Sequence, residues 1–96
     1  MPFKNALRKR RDEIIQIANR YGAHNIRIFG SVSKETDRHD SDVDFLVDLD
    51  KDRSLLDLCG MVFDLQQLLG RRVDVVTVNG LHWFIKKEIL EEAEPL

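Results

Sequence analysis

The chain has 96 residues, of which 43% are hydrophobic and 33% charged, and its formal net charge is −2. That length predicts one domain over residues 1–96, and the composition argues against disorder. The near-neutral charge gives no general pull toward nucleic acid, and with no apolar span of about 18 residues and no signal peptide a cytoplasmic protein is expected.

Residues 4–21 read as a helix, with Ala6, Leu7, Ile14, Ile17, Ala18 and Tyr21 as its apolar stripe and Gly22 as its stop. The basic run RKRR at residues 8–11 reads as a solvated helix start, with contact to an acidic partner or a nucleotide as the alternative. NIRIFG, residues 25–30, alternates like a short strand. Residues 31–38 read as a short helix or structured loop. VDFLVDL, residues 43–49, is a second strand that places Val43, Phe45, Val47 and Leu49 on one face.

Ser54 opens a long helix with the Ser54/Asp57 spacing of a capping box; Leu55, Leu58, Val62, Leu65 and Leu69 recur along it until Gly70. The single cysteine, Cys59, falls among its apolar residues and reads as a buried, inert thiol. RVDVVTV, residues 72–78, is a third strand rich in β-branched residues, followed by an Asn79-Gly80 turn. Residues 82–93 form a last helix with Phe84, Ile85, Ile89 and Leu90 turned inward. Trp83 and Phe84 read as core aromatics, with a partner contact as the alternative. The whole is an α/β fold: helices packed against a small mixed β-sheet.

Asp42 and Asp44 point the same way because strand side chains alternate. Strands two and three are joined by a helix, and such a crossover makes them parallel. If the two strands are neighbours, Asp74 joins Asp42 and Asp44 at the same edge. If the first strand runs antiparallel to the second, Gly30 and Ser31 join that edge. Crowded carboxylates raise one another's pKa unless a cation sits between them. Oxygen ligands select a hard divalent ion, Mg²⁺ first and Mn²⁺ next, with sites left for water and phosphates. Gly30 lets backbone approach phosphate, and Ser31 offers a hydroxyl and an N–H. Asp48 lies at the far end of the strand and reads as surface. Asp37, Asp40 and Asp50 read as solvated loop residues.

GS at residues 30–31, with ten positions between Ser31 and Asp42, and the run DSDVD that carries Asp42 and Asp44 resemble the signature of the nucleotidyltransferase superfamily that includes DNA polymerase β. With RRVDVVTV and the closing EILEEAEPL, the fit covers nearly the whole chain. At this length it is most similar to the minimal nucleotidyltransferase (MNT) domain. The resemblance implies a polymerase β-like fold, with Asp42, Asp44 and Asp74 as catalytic and metal-binding acids and Gly30 and Ser31 as the phosphate-binding pair. It implies ATP as nucleotide substrate and a HEPN-domain toxin as partner. AMP would pass to a tyrosine of that toxin, making this chain an antitoxin. Many such proteins read GSxARG where this one reads GSVSKET, so Lys34 replaces an arginine and Glu35 a glycine.

The small size leaves no room for an acceptor-binding domain, so a partner or a second copy would complete the pocket. The alternative is an antitoxin that works by binding alone. Haloacid-dehalogenase-type phosphatases place D-x-D after an apolar strand, whereas here the strand follows the acids; D-x-D glycosyltransferases need a longer chain.

Overall fold

The computed structural model of the protein describes residues 3–38 and 40–96. The stretch read as one helix over residues 4–21 is two, α1 (Phe3–Lys9) and α2 (Arg11–Arg20). Arg10 between them has φ −100° and ψ 16°. The basic run therefore straddles a break rather than opening a helix. Its cations find separate partners: Arg8 pairs with Glu94 at 3.2 Å and Arg11 with Asp12 at 3.8 Å. Tyr21 follows α2, and Gly22 turns the chain at φ +76°, a conformation that costs glycine little.

Strand β1 (Ala23–Phe29) starts earlier than the alternation suggested. A bulge lies between His24 and Arg27, where Asn25 takes φ 52° and its amide donates to Asp48 at 3.1 Å. Ile26, within the bulge, and Ile28, beyond it, are both buried, as their alternation predicts. The short helix α3 (Gly30–Ser33) follows directly, and strand β2 (Val43–Leu49) comes next.

Helix α4 (Leu55–Leu69) opens at Ser54, whose N–H donates to Asp57 at 2.9 Å in the expected capping box. That bond holds the Asp57 carboxyl below its usual range. Gly70 ends the helix in the left-handed region. Strand β3 (Val73–Thr77), helix α5 (Trp83–Glu92) and a two-residue strand β4 (Glu94–Pro95) complete the described chain.

The strands form one sheet in the order β3-β2-β1-β4. As the crossover argument required, β2 and β3 are parallel, and β1 runs antiparallel to β2. Strand β4 pairs antiparallel with β1 through Ile28↔Glu94 and Arg27↔Pro95. Nothing in two residues ending in proline signals a strand; its edge position is what tolerates the missing N–H.

Val43, Phe45 and Val47 face the helices and are fully buried with Leu7, Ile14, Ile28, Val32, Met61 and Leu65. This cluster anchors the ends of β1 and β2 that carry the polar residues considered below. Among the described residues, no helix is long and apolar enough to cross a membrane.

Three further expectations are corrected by the fold. Helix α5 buries none of its described side chains: Trp83 and Phe84 are 77% and 72% exposed, and Ile85 and Leu90 are exposed as well. Ile89 alone of the four residues expected to turn inward is partly buried; the apolar spacing is helical, but among the described residues no element buries the stripe. Cys59 is exposed, because α4 turns Met61 and Leu65 inward and leaves Cys59, with Leu55 and Leu56, off that face. Asp37 is not a solvated loop acid; it is largely buried and bonded to Arg71 at 3.2 Å.

Candidate active site

The parallel register pairs Asp44 with Asp74, so the two acids lie side by side on adjacent strands. On the other side of β2, Asp44 is opposite Phe29, the last residue of β1. Gly30 therefore emerges beside the Asp44 carboxylate. Its φ is +75°, and a Cβ added there would overlap an Asp44 carboxylate oxygen. Glycine is required at this point twice over, by backbone conformation and by space. Asp42 lies just ahead of β2, half exposed, and accepts from Arg72 Nε at 3.0 Å.

Asp44 is pushed up to about 6. Partial burial is the first cause; the negative charges of Asp74, Asp42 and Glu92 follow. Neither Asp44 nor Asp74 has an ion-pair or hydrogen-bond partner for its carboxylate among the described residues. The acids are thus close enough to repel, but among the described residues no group of three or more His, Cys, Asp or Glu side chains is placed to hold a metal ion. Hard oxygen donors, mutual repulsion and open positions are the chemistry that suits a divalent cation whose shell is completed by water or phosphate.

The segment after Gly30 explains the departure at residue 35. Thr36 N–H donates to the Ser31 carbonyl at 2.9 Å and Glu35 N–H to the Val32 carbonyl at 3.1 Å. This bond pair is the Schellman arrangement, which puts a left-handed residue just past the helix end. Glu35 occupies it with φ 60°. At the position where the resembled signature has glycine, this chain places a side chain in the left-handed region. Glu35→Gly is expected to stabilise the protein by about 0.5–1 kcal/mol, the left-handed cost less glycine's own entropy. A higher urea midpoint at unchanged slope would show it; a lower midpoint would refute it.

Two residues that the sequence reading did not single out belong to the site. Glu92, at the end of α5, accepts from Gly30 N–H at 2.7 Å and forms an ion pair with Lys34 Nζ at 3.5 Å. Arg72 is the partner of Asp42. No local spacing announces either contact, since Glu92 is 62 positions from Gly30.

Comparison with known proteins places these features in a family. The nucleotidyltransferase domain family's profile matches residues 7–96. The protein adenylyltransferase MntA of Thermococcus cleftensis is 39% identical over 77 residues, covering 80% of this chain and 78% of its own. MJ0435 of Methanocaldococcus jannaschii, provisionally named a protein adenylyltransferase, is 40% identical over 81 residues, covering 84% and 87%. A solved structure described provisionally as a minimal nucleotidyltransferase superposes with a TM-score of 0.87 at 41% identity, covering 97% of this chain and 95% of that one. A toxin–antitoxin crystal structure with AMP-PNP shares the fold, with a TM-score of 0.76 at 20% identity, over 88% and 69% of the two chains. With the profile spanning almost every residue that builds the sheet and its acidic edge, the chain belongs to the nucleotidyltransferase domain family.

Proposed function

We propose that this nucleotidyltransferase moves AMP from ATP onto a tyrosine hydroxyl of a HEPN-domain partner toxin and so acts as an antitoxin. The observation behind the reading is the Asp44/Asp74 rung beside Gly30, with Asp44 raised to about 6 by partial burial and by the negative charges of Asp74, Asp42 and Glu92. Names of relatives point the same way: protein adenylyltransferase for the Thermococcus chain, and toxin–antitoxin for a neighbour of the same fold crystallised with an ATP analogue.

In this reading Asp42, Asp44 and Asp74 are the metal-binding acids. A divalent cation there, Mg²⁺ or Mn²⁺, would neutralise triphosphate charge and lower the acceptor hydroxyl's pKa. Gly30 N–H and the Ser31 hydroxyl hold the phosphate tail. The tyrosine oxygen attacks the α-phosphorus, and the bond from that phosphorus to the bridging oxygen breaks. Pyrophosphate leaves with the bond's electrons, and an Asp74 carboxylate oxygen takes the hydroxyl proton. Positioning and charge neutralisation supply most of the rate.

The test is incubation of the protein and its partner toxin with α-labelled ATP and Mg²⁺. Label is expected on the partner. Its absence in a mixture where the complex demonstrably forms would count decisively against transfer.

A second reading, neutralisation by binding alone, is favoured by the exposed aromatic pair Trp83 and Phe84 on an uncovered helix. Asp42→Asn combined with Asp44→Asn separates the two. Neutralisation that survives the double substitution supports masking.

A further inference from the structure

The Gly30 N–H that the proposed reading assigns to phosphate already has an acceptor. Glu92 Oε1 lies 2.7 Å from that nitrogen and 3.5 Å from Lys34 Nζ. A carboxylate here faces the same two groups, an N–H and a cation, that a phosphate oxygen would use. One N–H cannot serve both acceptors well, so the two anions exclude each other. The contact also brings a further negative charge to bear on Asp44, in addition to those of Asp74 and Asp42. Such a site holds an internal carboxylate only because the N–H and Lys34 compensate it.

The backbone around Glu92 is fixed. Ala93 N–H closes α5 on the Ile89 carbonyl at 2.8 Å. Glu94 follows in β4, paired with Ile28 of β1, and its carboxylate is held by Lys4 and Arg8. Displacing Glu92 from Gly30 therefore needs only rotation of its side chain, which is a quarter exposed and has solvent to turn into. Opening of the fold is not required.

We propose that Glu92 is a built-in competitor for nucleotide: in the free protein its carboxylate occupies the Gly30 N–H and Lys34, and the triphosphate must displace it to bind. This inference rests on the reading of Gly30 as a phosphate contact. Apparent affinity is proportional to the fraction of molecules in which the site is vacated, so weakening the internal bond should tighten binding. The asymmetry with ordinary site acids is the useful point. Removing a ligand-binding acid weakens nucleotide binding, whereas removing this one strengthens it.

The experiment is calorimetric titration of Mg²⁺–AMP-PNP into the wild type, Glu92→Gln, Glu92→Ala and Glu91→Gln. Glu92→Gln and Glu92→Ala are expected to bind about 3- to 10-fold more tightly than wild type. Glu91→Gln removes the same charge one residue away and should stay within about twofold, which separates competition at Gly30 from general electrostatics. Unchanged or weaker binding by both Glu92 variants, with the wild type binding normally, would overturn the competitor role and leave the proposed function standing. An equal gain in Glu91→Gln would also overturn it. Failure of every protein to bind, with far-ultraviolet circular dichroism showing each folded, would remove the nucleotide reading itself and the inference with it.

Discussion

Asp44→Asn is expected to lower nucleotidyl transfer by about 10²-fold or more and, in the same molecule, to raise the melting temperature at pH 8 without added divalent ions. The first effect follows from removing a central acid of the proposed site. The second follows from Asp44's environment. Its pKa in the fold is about 6, against about 3.9 for an unfolded aspartate. The native state therefore binds more protons than the unfolded state between those values, and stability falls as pH rises through that window. Above it, the ionised carboxylate is a standing cost. The full difference corresponds to about 3 kcal/mol at 1.36 kcal/mol per pH unit, and solvent screening of a partly exposed group reduces it to about 1–2 kcal/mol. Asparagine keeps the shape and drops the charge, so a gain of roughly 5 °C is expected at pH 8. It should vanish near pH 4, where aspartate is protonated in the fold. Melting curves at the two pH values decide the matter. A destabilised Asp44→Asn at pH 8 would mean that the acids are not crowded as described.

Gly30→Ala should cost stability and activity together. At φ +75° an alanine pays about 1–2 kcal/mol for left-handed backbone. Its Cβ would also overlap the Asp44 carboxylate, adding about 1–2 kcal/mol of overpacking or pushing that side chain aside. A total loss of about 2–4 kcal/mol is expected from urea unfolding. Transfer should fall by about 10²-fold even where the variant is folded, because a misplacement of about 1 Å is enough to spoil in-line geometry. A variant within about 0.5 kcal/mol of wild type, with activity retained, would show that neither constraint on Gly30 is real.

How far the chain could be read in advance depended on the range of each signal. Strand pairing was legible because the long helix between strands two and three imposes a parallel crossover, which brings Asp44 and Asp74 together without any tertiary detail. The capping box at Ser54 and the glycine stops at Gly22 and Gly70 were local and held. Long-range contacts left no such trace. Helix α5 carries the spacing of a buried helix, yet most of its stripe faces solvent, since periodicity reports a helix and not what lies against it. Cys59 misled for the same reason: apolar sequence neighbours do not share its face. Asp37 looked solvated until Arg71, 34 positions away, closed over it. Glu92 could be recognised only once β4 had brought the end of α5 against the Gly30 turn.

Asp44 and Asp74 share one rung of a hydrogen-bonded ladder. Their spacing is accordingly a dimension of the sheet, about 4.8 Å between strand axes, and owes nothing to loop conformation. A slip of one residue would throw Asp74 to the wrong side and drag Val73 and Val75 from their seats at the same time. Drift in the chemistry is thereby penalised by collapse of the interior. Connections such as residues 50–54 and 78–82 lie outside that constraint, and descendants of this chain are free to lengthen or rewrite them while the ruler between the two acids stays the same.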